Sequence, residues 1–102
     1  MSPMSRSLEH LRKLGYYCET TEKWNPWSKT RKDLWGWCDI LALGPLHILA
    51  VQTTTKSNML ARQKKILASE TFPIVRALGV MVAVHGWHKV GGKWQLTAKE
   101  LT

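Results

Sequence analysis

Cysteine and carboxylate are both scarce in this chain. Cys18 and Cys38 are the only cysteines, with no CxxC and no paired Cys/His motif, which argues against a disulfide framework and against a zinc site and suits a reducing cytoplasm. Long apolar runs are missing as well. The longest, from Leu41 to Val51, is broken by Gly44, Pro45 and His47, and Met1 to Lys13 holds no stretch of signal-peptide length. The expectation is a cytoplasmic protein that neither crosses nor enters a membrane. At 102 residues the chain is too short for two independent cores, so one domain spanning residues 1–102 is expected. What is present in excess is positive charge: 15 Lys and Arg against 7 Asp and Glu, a formal net charge of +8. With 44% hydrophobic residues that charge belongs on a folded body rather than a disordered tail. The balance favours a polyanionic partner, because each neutralised phosphate releases condensed counterions. Six of the nine aromatic residues are Trp, and an indole can fill a core or stack on a base.

The hydrophobic pattern gives an order of elements. Leu8, Leu11 and Leu14 mark a first helix from Ser5 to Leu14, with Ser5 or Ser7 as cap and Gly15 as stop. Tyr16 to Glu22 reads as a strand, and Lys23 to Lys32, with Asn25-Pro26, as a basic loop. Leu34 to Leu43 and His47 to Thr54 are strand-like runs joined at Gly44-Pro45 as an antiparallel hairpin. Both are apolar on both faces, which places them centrally in a covered sheet. Ser57 is a plausible cap for a helix to about Ser69, with Arg62, Lys64 and Lys65 off its apolar face. Thr71 to Leu78 is a second short helix, Val80 to Val84 a β-branched strand, and His85 to Val90 and Lys93 to Leu96 flank the Gly91-Gly92 turn. The summary is one α/β domain of order α-β-β-β-α-α-β-β.

Within this order one pair of strands carries unexpected polarity. Asp39 stands inside the apolar run Trp37 to Leu43, and Gln52 inside the run Ile48 to Thr54. Burying an unpaired carboxylate is expensive, so Asp39 is expected to be paired, hydrogen-bonded, metal-bound or open to a cleft, with Arg31 or Lys32 as alternative partners. Alternation puts Gln52, Thr54 and, if the strand continues, Lys56 on one face. The turn at Gly44-Pro45 would bring Asp39 and Gln52 close together. His10, His47, His85 and His88 show no ligand spacing and read as ordinary polar residues, and no Ser/His/Asp order or Gly-rich phosphate loop competes.

At these residues the chain resembles the PD-(D/E)XK nuclease superfamily over roughly residues 5–85. More closely, Glu22-Lys23-Trp24-Asn25-Pro26, Arg31 to Trp37, Val51-Gln52-Thr53-Thr54 and His85-Gly86-Trp87 look like a group of small phage and prophage proteins generally read as nuclease-like. The resemblance implies a restriction-endonuclease-like fold, a central mixed sheet flanked by helices whose core is a helix, three strands, a helix and a further strand. It also implies one or two magnesium (or manganese) ions, with Asp39 at the position of the family's Asp, Gln52 at its Glu and Thr54 at its Lys. Asp39, Gln52 and the Thr53 carbonyl would be the metal ligands.

Two departures from the family pattern bear on the chemistry. Gln52 can offer an amide oxygen but removes one negative charge from a hard-cation site. Thr54 lacks the ammonium that orients water and balances charge; Lys56, Lys64 or Lys65 could supply it. The third acid would be Glu9 on the first helix, although Glu9 can equally form a helix pair with Lys13, or else Glu22. Lys29, Arg31 and Lys32 from the Trp-containing loop, with Arg62, Lys64 and Lys65, are the candidate nucleic-acid-binding residues. The expected function is metal-dependent cleavage of duplex or branched DNA by a nuclease-like phage protein; the alternative is a catalytically inert DNA- or protein-binding module of the same fold. DNA is the expected partner, and a homodimer is left open.

Overall fold

The computed structural model describes residues 1–102. The chain begins with helix α1, Pro3–Lys13. Ser2, rather than Ser5 or Ser7, is the cap: its Oγ accepts from the Ser5 N–H at 3.1 Å, and Pro3 sits in the first turn where its missing N–H is not needed. Ser5 and Ser7 lie inside the helix, one turn later than the cap.

Seven strands follow, five of them in one mixed sheet of order β1-β4-β5-β6-β7. β1 (Tyr17–Thr20), β4 (Ile40–Leu43) and β5 (Ile48–Thr55) form an antiparallel meander. β5 then runs parallel to β6 (Met81–Val90), and β6 pairs antiparallel with β7 (Lys93–Leu101). The parallel pair requires a crossover. It is made by a short 3-10 turn at Lys56–Asn58, helix α2 (Met59–Leu67) and helix α3 (Thr71–Ala77). α2 starts one residue later than expected, and Ser57 does not cap it: its hydroxyl bonds Thr55 Oγ1 at 3.1 Å at the start of the 3-10 turn.

The β-rich C-terminal third is more continuous than its sequence suggests. Val80 to Val84 and His85 to Val90 are one ten-residue strand, because Gly86 interrupts the alternation without breaking the ladder. Gly91 and Gly92, at φ 56° and 79°, form the tight turn that only two consecutive left-handed residues can make. β7 continues past Leu96 to Leu101.

The sheet is covered on both faces, as the two-sided apolarity of β4 and β5 requires. On one face Leu11 of α1 packs with Cys18, Ile40, Ala42 and Val51. On the other, Met59 and Ile66 of α2 and Phe72 and Val75 of α3 pack with Ala50, Val82, Val84 and Trp37. Strand alternation assigns residues 50, 52 and 54 of β5 to the α2 face and residue 51 to the α1 face.

Two expectations about the middle of the chain are corrected. Lys23 to Lys32 is not a loop but a separate hairpin of β2 (Lys23–Asn25) and β3 (Thr30–Lys32). Leu34 to Cys38 is not strand: it folds into a tight turn, closed by Cys38 N–H donating to the Leu34 carbonyl at 2.9 Å. Trp35 and Gly36, at φ 60° and 79°, make a strand there impossible, and β4 begins only at Ile40.

Candidate functional site

Asp39 occupies the last position before β4, opposite Gln52 in the register that pairs Ile40 with Val51. The two side chains meet: Gln52 Nε2 donates to Asp39 Oδ2 at 2.8 Å. The Thr53 N–H and Thr53 Oγ1 donate to the same oxygen at 2.7 and 3.1 Å. Three donors therefore fix Oδ2. A carboxylate held by charge-assisted bonds of this kind is rigid and strongly oriented. Asp39 is buried, and Gln52 is only 2% exposed.

Gln52 cannot satisfy both ends of its amide. With Nε2 on Asp39, Oε1 is buried and has no hydrogen-bond partner. Leaving a buried acceptor unmade costs about 1–3 kcal/mol. Such an orphan beside a carboxylate is a donor atom available to a hard cation.

The sequence reading missed Asp33. The turn from Leu34 to Cys38 doubles the chain back, so that the Asp33 carboxyl comes close enough to Asp39 for the two to interact. Desolvation first, then the negative charge of Asp39 and the hydrogen bond to it, push Asp33 up to about 6, against the lowering pull of Lys65 and Arg62. Two other residues hold this turn. Thr21, just after β1, donates its hydroxyl to the Cys38 carbonyl and its N–H to the Asp39 carbonyl, and accepts from the Leu34 N–H at 3.4 Å. Trp37 is buried in the core, and its indole N–H donates to Thr71 Oγ1 of α3 at 2.9 Å. The one sequence signal available for Asp33 was Gly36, which marks a turn inside an apparent strand.

Around the carboxylates the charge changes sign. Arg31, Lys32, Asp33, Gly36 and Lys65 line an open cleft of about 480 Å³, and Arg62 is close enough to act on Asp33. Four of the candidate nucleic-acid-binding residues, drawn from β3 and α2, thus gather around Asp33. Lys29 is at the far tip of the β2–β3 hairpin, and Lys64 is exposed on α2 away from the cleft wall.

Other expected site residues lie elsewhere. Glu9 is on α1, across the sheet from Gln52, and forms an ion pair with Lys13 at 3.1 Å; it is not the third acid. Lys56 does not share the face of Gln52 and Thr54, because β5 ends at Thr55 and Lys56 opens the 3-10 turn with its side chain exposed. Thr54 is buried on the α2 face. Glu22 follows Thr21 directly and is half-buried, with no hydrogen bond or ion pair to the Asp39 side chain. Thr53 meets Asp39 as a double donor, and its carbonyl lies 3.5 Å from Gln52 Nε2.

The histidines are less ordinary than their spacing suggests. His85 is buried on the α1 face, with Nδ1 3.0 Å from Ser7 Oγ, which also accepts from the Trp87 indole N–H at 2.9 Å. Burial first, and His10 second, hold His85 down at about 4. This network knits α1 to β6 and stands apart from the carboxylate cleft.

No group of three or more His, Cys, Asp and Glu side chains gathers anywhere in the chain. The candidate donors are the Asp33 carboxylate, which lines the cleft, and the buried Asp39 carboxylate and Gln52 amide oxygen, all hard oxygen atoms of the kind magnesium and manganese prefer. No helix is long and apolar enough to cross a membrane. Comparison with protein-family models, with curated proteins and with solved structures finds no match, so the functional reading stands on this geometry alone.

Proposed function

We propose that the chain is a DNA-binding, metal-dependent phosphodiesterase with a PD-(D/E)XK-like fold. The observation that carries this reading is the closeness of Asp33 to Asp39, which Gln52 with its orphaned Oε1 also contacts, with Arg31, Lys32 and Lys65 lining the cleft around Asp33 and Arg62 acting on it. Two carboxylates held close together oppose folding, and such arrangements concentrate where function needs them. The order of α1, the three-stranded meander, the α2 crossover and the parallel strand β6 supports the fold part of the reading.

Magnesium or manganese would be held by Asp33, Asp39 Oδ1 and the Gln52 amide oxygen, and when bound it supplies Lewis acidity toward a phosphate and a bound water of lowered pKa. The chain supplies the rest. Thr53 and Gln52 fix Asp39 in one orientation. Arg31, Lys32 and Arg62 neutralise and orient the phosphate backbone, contributing affinity without base selectivity. Lys65, the α2 lysine on the cleft wall, stands in for the cation that Thr54 cannot provide and stabilises charge developing on the phosphate.

A second reading, an inert DNA-binding module, is favoured by one observation: Thr54, at the motif lysine position, is a buried hydroxyl. Thermal melts in EDTA and in manganese separate the two. A nuclease site gives a manganese-dependent rise in Tm that Asp39→Asn abolishes; no rise in the wild type, with DNA binding intact, establishes the inert module.

A further inference from the structure

The β2–β3 hairpin carries features that the carboxylate cleft does not use. None of its strand residues is buried, and it pairs with no strand of the main sheet. Trp27 at its tip is 95% exposed and Trp24 is 56% exposed. Lys23 stands directly opposite Lys32, and Trp24 opposite Arg31. Like charges opposite each other destabilise a strand pair, and an indole left in water forgoes the burial that usually accompanies so large an apolar surface. The tip is nonetheless built firmly: Asn25 Oδ1 accepts from the Trp27 N–H at 2.9 Å, and Ser28 Oγ meets Thr30 Oγ1 at 2.6 Å. Both unfavourable features are relieved by one kind of ligand, a strand whose phosphates separate the lysines and whose unpaired base covers the indole.

We infer that Trp27 is a base-stacking wedge and that the preferred substrate is DNA containing unpaired bases, such as a fork or gap, rather than continuous duplex. The inference rests on the reading of the Asp33–Asp39 cleft as a DNA site, since Arg31 and Lys32 belong to both surfaces. The six residue steps from Trp27 to Asp33 span at most about 20 Å when extended. A base stacked at the tip is then within about six nucleotides of the phosphate at the cleft, at about 3.4 Å per step. An anionic membrane would also attract Trp and Lys, but a flat lipid surface cannot follow the basic groups from the tip into the carboxylate cleft, whereas a flexible strand can.

The test is fluorescence anisotropy in EDTA with the full chain, using labelled forked DNA and a blunt duplex of the same composition. Wild type is expected to bind the fork about tenfold more tightly, in line with stacking of one base on an aromatic side chain. Trp27→Ala should erase that difference while keeping duplex affinity and its salt dependence, and Trp27→Phe should retain it. Equal affinity of wild type for both DNAs, or a fork preference that survives Trp27→Ala, overturns the wedge while leaving the nuclease reading intact. Trp27-dependent sedimentation with phosphatidylserine vesicles, together with Trp27-independent DNA binding, also overturns it and assigns the hairpin to lipid. No binding to either DNA at low salt overturns both readings. Failure of metal-dependent cleavage alone strikes only the nuclease reading, because the binding assay contains no free divalent metal.

Discussion

Asp33 and Asp39 are brought close enough to act on each other by a five-residue turn, Leu34 to Cys38, that Thr21 clasps and Trp37 anchors. The energetic consequence has a definite sign. Asp33 is raised from 3.8 to about 6, so the folded state binds a proton more tightly than the unfolded chain. Its contribution to stability is complete below pH about 3.8 and is lost as pH rises through about 6.

Replacing Asp33 by Asn should therefore stabilise the metal-free protein above pH 6. Asp33 is largely solvent-screened, which reduces the expected gain to about 1 kcal/mol, or a Tm rise of about 5 °C for a domain of this size. Thermal melts of both proteins in EDTA near neutral pH check this. A variant less stable than wild type would mean that Asp33 is a structural hydrogen-bond partner rather than a carboxylate held against its preference.

Asp39 behaves in the opposite way. Asp39→Ala strands three donors, Gln52 Nε2, Thr53 N–H and Thr53 Oγ1, and should lose about 2–4 kcal/mol in urea unfolding. Asp39→Asn keeps an acceptor oxygen in place and should lose less than half of that. Loss of activity in Asp39→Ala alone would not separate chemistry from folding, whereas loss in a well-folded Asp39→Asn does.

Much of this site is readable from sequence, and the missing part has an identifiable cause. Asp39 and Gln52 can be paired by counting outward from Gly44-Pro45, because a hairpin fixes register over its whole length. Asp33 cannot be found by counting, since it reaches Asp39 only through the left-handed residues Trp35 and Gly36, a tertiary arrangement stabilised by Thr21 and Trp37 from elsewhere. Lys56 would share the face of Gln52 only if β5 ran on past Thr55, and where a strand stops is not written in its alternation. Glu9 failed because nothing in its helix's periodicity tells which face of the sheet the helix covers. Fold class and element order were legible from apolar periodicity; the β2–β3 hairpin was not, because its strands bury no side chain and leave no apolar signature.

The basic residues divide between two roles. Lys65→Ala should slow cleavage by about tenfold or more, because its ammonium lies on the cleft wall beside Asp33. Lys56→Ala should be close to wild type, its side chain being exposed in the 3-10 turn. Arg31→Ala with Lys32→Ala should flatten the salt dependence of DNA binding by about 0.9 in log–log slope per lost phosphate contact. Single-turnover rates and salt titrations measure the two effects independently, and a larger loss from Lys56→Ala than from Lys65→Ala would relocate the cation.

Acid sensitivity should come from the other face of the sheet. His85 is held neutral, with its pKa lowered from 6.5 to about 4, so the unfolded chain takes up this proton first as pH falls. Its contribution is a loss of stability that grows from pH about 6.5 down to about 4 and then levels off. At pH about 5 the loss is about 2 kcal/mol. Urea titrations at pH about 7 and about 5 should show a drop that His85→Gln reduces by roughly that amount; an unchanged drop would place the acid sensitivity in another group.

The most direct measurement is single-turnover cleavage of forked DNA in manganese by wild type, Asp33→Asn and Asp39→Asn, with each protein at saturating concentration as judged by anisotropy. The expected result is cleavage by wild type and a loss of about a hundredfold or more in each variant, at unchanged or slightly tighter DNA binding, since each substitution removes a cation ligand and a negative charge near the phosphates. Cleavage by wild type that persists in both variants, or none in wild type under saturating DNA binding and manganese, would contradict the assignment of the Asp33–Asp39 pair as a metal-dependent nuclease centre.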